Sequence, residues 1–410
     1  MINLETREAF DLTAKFGSPL YIFDEKRFLN NYMHLTNAYR GIYPKFNIAY
    51  SYKTNYTPYI CQKVKELGGY AEVVSSMEYW LAKQIGYEND KIIFNGPVKG
   101  EALYEQLSRG GSVNIDNLEE LYNIISFAKE SSQKEIEVVI RVNIDIGQSF
   151  ISRFGIDSDN GDLDLAFKEL NAVPNISVIG LHCHVGRSRG IQAWKNRVEI
   201  MLELVDKHFK TPPRFIDLGS GMNSVMEPSL ASQFGDDIPT YEEYAEVVAS
   251  EFYKKYGNLP KEQQPELIVE PGTTVVSGYM YFLSKVLSIK TVKNKCIATL
   301  DGSYGNISEI CLSKQLPIKV FSLNSQQELV KDANFVGYTC LEHDVLYRNY
   351  TGNLSVGDLI LFDNIGSYSN VFKPPFISPN CAMIAISENR EIKLIKRRET
   401  FEDIFQTYVF

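Results

Sequence analysis

The sequence predicts an α/β protein in two parts, a (β/α)8 TIM barrel and a mainly antiparallel β-barrel or sandwich domain. Three observations lead there. Between about residue 45 and residue 270, short β-branched or aromatic runs alternate with longer segments whose apolar residues recur at three and four, with Gly, Pro, Asn or Asp at the junctions. After residue 275 the helical periodicity nearly disappears and strand-like runs succeed one another. A chain of 410 residues that is 44% hydrophobic holds ample material for a packed core and for more than one domain, which excludes disordered and low-complexity classes.

The runs that read as barrel strands are NIAYSY (47–52), YAEVV (70–74), KIIFN (91–95), SVNID (112–116), EVVIRVN (137–143), SVIGLHC (177–183), RFIDL (214–218) and ELIVE (266–270). Helical candidates lie between them, among them TPYICQKVKELG, SMEYWLAKQIG, NLEELYNIISFAKE, AWKNRVEIMLELVDKHF and YEEYAEVVASEFYKKYG, with KRFLNNYMHLTNAYRG ahead of the first strand. This alternation implies right-handed βαβ units, and eight of them over roughly 230 residues match the size of a closed barrel. An open doubly wound sheet is the competing arrangement. The two differ in where chemistry collects, because a barrel gathers functional side chains at the C-terminal ends of its strands and in the loops just after them. Beyond the barrel come TVVSGYMYFLSKVLSIKTV, KCIATLDGS, LPIKVFSL, DLILFDNIG, CAMIAISE and EIKLIKR. SPLYIFD (18–24) is an orphan strand before the first barrel helix. Placing it in the second sheet gives a barrel over 27–276 and a discontinuous β domain over 1–26 and 277–410.

Charge and cysteine usage narrow the function classes. A net charge of −9, from 42 basic and 51 acidic residues, offers no footprint for nucleic acid. No apolar run reaches the roughly 18 residues that span a bilayer, and the N-terminal stretch lacks an apolar leader core, so no membrane role and no export are expected. Six cysteines (Cys61, Cys183, Cys296, Cys311, Cys340, Cys381) lie far apart with no metal-ligand spacing. Reduced thiols in a cytoplasm, and no metal, are the simplest expectation.

The polar residues at the strand ends are Lys53, Glu72, Asn95, His184, the glycine-rich DLGSGM (217–222) and Glu270 followed by Pro-Gly. A lysine there enters a desolvated mouth, where its amine can become a nucleophile able to form a Schiff base. A solvated or salt-bridged Lys53 is the plainer reading. Gly219, Ser220 and Gly221 would let backbone amides approach an anion, although such turns also follow strands for steric reasons. A lysine amine, an anion cradle late in a barrel and a buried carboxylate are together what pyridoxal phosphate requires.

In these residues the chain resembles the fold type III pyridoxal-phosphate decarboxylases, which include diaminopimelate, ornithine and carboxynorspermidine decarboxylases and share the two-domain architecture of alanine racemase. SYKTN (51–55) is similar to the segment that carries the cofactor lysine, here Lys53, and AEVVSSMEY (71–79) to the acidic motif that sets Glu72 near it. HVG (184–186) resembles the segment whose histidine, His184, stacks on the cofactor ring. EPG (270–272) resembles the one whose glutamate, Glu270, meets the pyridine nitrogen beside Gly272. CLEHD (340–344) is similar to a block, with Cys340 and Asp344 as its fixed members, that reaches the partner subunit's active site. GSY (366–368) resembles a block whose tyrosine, Tyr368, touches the phosphate. The resemblance covers nearly the whole chain. It implies pyridoxal 5'-phosphate as cofactor, decarboxylation of an amino acid through a Schiff base on the substrate amine, a homodimer with shared active sites, and Cys340 as the group that reprotonates the carbanion.

Departures from the family pattern fall in substrate recognition. The usual EPGR reads EPGT, so Thr273 stands where an arginine clamps a substrate carboxylate, and in DGSYGNISEICLS (301–313) Glu309 and Ser313 stand where an arginine and a tyrosine would be. The residue after the cysteine is Leu341, as in the carboxynorspermidine type. Losing two guanidinium forks removes bonds of roughly 1.5 to 3 kcal/mol each. A substrate other than meso-diaminopimelate is expected, with Glu309 and Glu342 suited to a distal cation, or else ordinary solvated acids, and with Asp344 of the CLEHD block also expected on the substrate side. Arg187, where serine is usual, suits the phosphate or a substrate anion. The alternatives are a racemase using the same cofactor and a catalytically silent homologue that regulates an active decarboxylase.

Overall fold

The computed structural model describes residues 1–131, 133–147, 151–235 and 238–410. The backbone divides into two compact units, one made of Tyr32–Asn223 and Ile238–Gly272, the other of Met1–Asn31, Ser224–Asp237 and Thr273–Phe410.

The first unit is built on a ring of eight parallel strands: β1 (Phe46–Ser51), β2 (Tyr70–Val73), β3 (Ile92–Phe94), β4 (Val113–Ile115), β5 (Ile136–Asn143), β6 (Ile176–His182), β7 (Phe215–Asp217) and β8 (Glu266–Val269), with the two-residue strand Ile156–Asp157 paired outside the ring to β5. They pair in the order β4-β3-β2-β1-β8-β7-β6-β5, and β4 also pairs with β5, which closes the ring. The open doubly wound alternative is thereby excluded.

The barrel interior is layered. Ala49, Tyr70, Ile93, Val139, Ile179, Phe215 and Ile268 form one apolar cluster. Side chains two residues apart on a strand share a face. On six strands the next inward position holds Ser51, Glu72, Asn95, Arg141, Asp217 or Glu270, all buried. An apolar plug therefore lies under a polar layer at the C-terminal ends of the strands, where barrel chemistry sits. On β6 the step is three residues, from Ile179 to His182, because the β5–β6 register shifts at Val138/Val139.

The second unit is mainly antiparallel. Met280–Val292 pairs antiparallel with Lys295–Leu300 through Lys293 and Asn294, both at positive φ, the geometry that matches a hairpin to the strand twist. The orphan strand Leu20–Asp24 lies between Met280–Val292, antiparallel, and Ala382–Ile386, parallel. A second parallel pairing joins Lys295–Leu300 to Glu328–Val336, so the sheet is mixed. The helix Thr6–Phe16, an element absent from the sequence reading, turns Ala9 and Leu12 onto a core of Leu20, Ile22, Tyr281, Leu283 and Ile384.

Candidate active site

Lys53 lies in the single helical turn Tyr52–Thr54 that directly follows β1. Gly272 explains how the chain fits there, since a Cβ on it would fall 2.0 Å from Thr54 Oγ1. The EPG and YKT segments thus pack backbone against side chain, and the Ser51 amide donates to the Pro271 carbonyl at 3.4 Å. Lys53 Nζ donates to Ser51 Oγ at 2.7 Å and to Glu72 Oε2 at 2.6 Å. The lysine side chain is 34% exposed, whereas Glu72 is fully buried. Ser51 Oγ also donates to Glu72 Oε2, and Asn95 Nδ2 donates to Glu72 Oε1 at 3.0 Å.

Asn95 continues the network to Glu270, where Nδ2 donates to Oε1 at 2.5 Å. His182 Nε2 lies 3.2 Å from Glu270 Oε2, and His184 Nδ1 lies 3.8 Å from the same oxygen. Burial by itself would raise the Glu270 carboxyl, but His182 and the other donors outweigh it and hold it well below the usual carboxylate range. Asp217 behaves oppositely: burial, reinforced by the Glu270 charge, pushes it well above that range. Its Oδ1 accepts from the Gly219 amide at 2.8 Å, while Oδ2 has no hydrogen-bond partner among the described residues. His184 is partly buried, and desolvation lowers it to about 4, so its ring is neutral near pH 7. The Ser220 amide donates to its Nδ1 at 3.4 Å.

After β7 the chain enters the glycine-rich loop with Gly219 at φ +61° and Gly221 at φ +103°, conformations that a side chain resists. Space also requires glycine, since a Cβ would fall 2.4 Å from the Cys183 carbonyl oxygen at Gly219 and 2.2 Å from the Val185 carbonyl oxygen at Gly221. Arg187 lies on the neighbouring loop and is exposed. The barrel unit therefore brings together Lys53, Glu72, His184, Gly219, Ser220, Gly221, Glu270 and Gly272 at the ends of its strands.

The remaining sequence candidates belong to the second unit. Glu309 and Tyr368 line a cavity of about 340 Å³ with Tyr304, Tyr338, Phe372 and Lys373. Tyr368 holds a positive φ of 52° and stacks on Phe372 with ring centroids 5.5 Å apart. Cys340 and Glu342 are exposed. Asp344 is buried, and its oxygens accept from the Tyr304 amide at 2.7 Å and from Thr339 Oγ1 at 2.5 Å, which ties the CLEHD turn to the DGSYG segment.

Sequence reading passed over His182, Asp217, Asn114 and Ser51 as functional residues. Parity along the strands could have found Ser51 and Asp217, which lie two residues beyond the apolar layer, but the register shift on β6 hides His182. Asn114 Nδ2 donates to Asn95 Oδ1 at 2.6 Å and so fixes which end of that amide faces the two glutamates.

The residues present fit pyridoxal phosphate. The chain offers an amine, a carboxylate held ionised in the same buried layer, a neutral imidazole, and a loop that glycine keeps open for an anion. Among the described residues no helix is long and apolar enough to cross a membrane.

Comparison with known proteins agrees. Residues 30–277 match the pyridoxal binding domain of pyridoxal-dependent decarboxylases, and residues 196–366 match the C-terminal sheet domain of the same proteins. The chain is 25% identical to the diaminopimelate decarboxylase of Methanocaldococcus jannaschii over 97% of its own length and 92% of that protein. It is 26% identical to the Neisseria meningitidis diaminopimelate decarboxylase over 95% of each. The M. jannaschii crystal structure superposes with a TM-score of 0.85 at 25% identity, covering 98% of this chain and 94% of that one. An arginine decarboxylase from Paramecium bursaria Chlorella virus shares the fold at 18% identity and a TM-score of 0.74, over 93% of this chain and all of that one.

Proposed function

The chain belongs to the pyridoxal-dependent decarboxylases, and from that premise we propose that it decarboxylates an amino acid whose distal end is cationic, in place of meso-diaminopimelate. One observation carries the choice of substrate. The cavity of the second unit presents a carboxylate, Glu309, among the aromatic rings of Tyr304, Tyr338, Tyr368 and Phe372, and the cation of its lining, Lys373, donates its amine to Asn380 Oδ1 at 3.0 Å. Aromatic faces and a carboxylate attract an ammonium or guanidinium, whereas a distal carboxylate would be repelled. Thr273 in the EPGT segment points the same way, as it supplies no guanidinium fork.

When bound, pyridoxal phosphate supplies the electron sink that lets the substrate's carboxylate leave as CO₂. The chain's residues do the rest. Lys53 would hold the cofactor through its amine, and Glu72 would accept a hydrogen bond from that amine whenever it is free and protonated. Glu270, held anionic by its donors, would accept a hydrogen bond from the cofactor's ring nitrogen and so favour its protonated form. His184 would pack against the cofactor ring and the Gly219–Gly221 loop would hold its phosphate, a role that the family pattern also gives to Tyr368. Cys340, contributed by the partner in a homodimer with shared sites, returns a proton from Sγ to the substrate's α carbon. Asp344 acts through the turn it holds, Glu342 lies beside Cys340 for a distal cation, and Arg187 meets an anion at the barrel rim. The cytoplasm suits the free thiols.

A CO₂-release screen over lysine, ornithine, arginine, carboxynorspermidine, meso-diaminopimelate and acidic amino acids tests this reading. Release should be fastest from a substrate with a distal cation and no distal carboxylate, and Glu309→Gln should raise KM for it about tenfold, the worth of one charge-assisted bond. Meso-diaminopimelate as the best substrate would overturn the assignment of specificity while leaving the decarboxylase in place.

A further inference from the structure

We propose that Arg197, outside every motif discussed above, is the positioning residue that sets the glycine-rich loop to receive the cofactor phosphate. It lies on the helix Ile191–His208, facing inward with Trp194, Val198 and Met201, and is fully buried. Its Nη1 donates to the carbonyls of Leu218 at 2.9 Å and Ser220 at 2.7 Å, and its Nη2 to the carbonyl of Val185 at 3.0 Å. The guanidinium lies 4.1 Å from the ring centroid of Trp194, whose Nε1 donates to the Gly221 carbonyl at 3.4 Å. The Glu270 amide donates to the Gly219 carbonyl at 2.8 Å. Four successive carbonyls, from Leu218 to Gly221, are thus each held by a donor of the barrel.

A planar trans peptide points its N–H opposite to its C=O. Fixing the carbonyls of Ser220 and Gly221 therefore turns the amides of Gly221 and Met222 away from Arg197, on the face where an anion would lie. The guanidinium has no carboxylate within salt-bridge distance among the described residues. Burial lowers its pKa, yet an arginine keeps its proton even so. A buried cation without a counter-charge is unfavourable, and a phosphate across the loop supplies that charge. Glycine lets the loop take this shape, and Arg197 selects it.

The test compares two aldehydes that differ only in the phosphate. Pyridoxal phosphate and pyridoxal are titrated into cofactor-stripped wild type, Arg197→Lys, Arg197→Gln and Trp194→Phe, reading the visible absorbance of the Lys53 Schiff base. Arg197→Gln should weaken pyridoxal phosphate about 30-fold, the loss of charge-assisted bonds to the loop, and leave pyridoxal within about twofold. Arg197→Lys and Trp194→Phe should fall between. Inorganic phosphate should compete with pyridoxal phosphate more weakly in the Arg197 variants than in wild type. An equal loss for both aldehydes, or no loss for either, overturns the proposal. So does failure of both Arg197 variants to fold, which would make the residue part of the core alone.

Discussion

Gly272→Ala tests how the barrel holds its lysine. The added methyl would lie 2.0 Å from Thr54 Oγ1, 2.8 Å from Thr54 Cβ and 3.2 Å from Thr54 Cγ2. Optimal carbon contacts lie near 3.5 Å, so about 1.5 Å of overlap must be relieved at the hydroxyl and about 0.7 Å at Cβ. Thr54 is buried and adjacent to Lys53, so it has no outward path and the turn itself must shift. Overpacking of this kind costs about 1 to 3 kcal/mol of stability, and a displacement near 1 Å at a reacting group costs about 100-fold in rate. Decarboxylation by Gly272→Ala is therefore expected near one hundredth of wild type. Thr54→Ala removes Oγ1, the closest atom, and Cγ2 but keeps Cβ at 2.8 Å, so Gly272→Ala/Thr54→Ala should recover part of the loss and show strong coupling in a double-mutant cycle. CO₂ release and the visible absorbance of the lysine–cofactor Schiff base measure both effects. Wild-type rate and absorbance in Gly272→Ala, or strictly additive effects in the cycle, would refute the claim that this packing positions Lys53.

Four further outcomes are expected. Lys53→Ala should lose the visible absorbance and the borohydride-trapped adduct, and a retained adduct would move the Schiff base to another amine. Cys340→Ala should slow turnover or divert product, and mixing it with Lys53→Ala should restore part of the activity if subunits share sites; a fully inactive mixture would count against sharing. Lys99 is buried and bonds both Glu120 oxygens, at 2.7 and 2.8 Å, so Lys99→Met should cost about 3 to 5 kcal/mol in urea unfolding, and Lys99→Met/Glu120→Leu should recover much of it. His184 has its native pKa lowered to about 4. The unfolded chain therefore binds the extra proton first, and stability falls as pH drops from about 6.5 toward 4, by at most about 1.4 kcal/mol per unit from this group. His184→Gln should flatten that part of the pH–stability curve.

How far the sequence could be read depended on period and position. Strand ends were legible because a barrel concentrates its unusual polar residues there, and Lys53, Glu72, His184 and Glu270 all fall within two residues of one. The glycines of the 219–221 loop and Gly272 were legible as types, but the reason for each, a carbonyl or a hydroxyl within 2.4 Å of a Cβ, is a long-range contact that no local pattern carries. His182 was hidden by a register shift, and Arg197 by its place in a helix that reads as ordinary amphipathic sequence. The helix Thr6–Phe16 was passed over because its stretch mixes both charge signs and buries only Ala9 and Leu12.

The buried layer also shows how one site keeps two neighbouring acids in different states. Glu270 and Asp217 are both fully enclosed, and burial alone would raise both. Two like charges this close do not ionise together, so the surrounding donors decide which one carries the charge. Glu270 has His182 on one oxygen and the Asn95 amide on the other, while Asp217 has a single backbone amide and a second oxygen with no partner among the described residues. The charge settles on Glu270. Asn95 does more than stabilise it, because the same Nδ2 also reaches Glu72, the partner of Lys53, and Asn114 fixes its orientation. The acid at one end of the network and the amine at the other are thus set by one side chain just beyond β3. A change in either should be felt by both through Asn95, since the polar layer is one connected hydrogen-bonded unit rather than a set of independent groups.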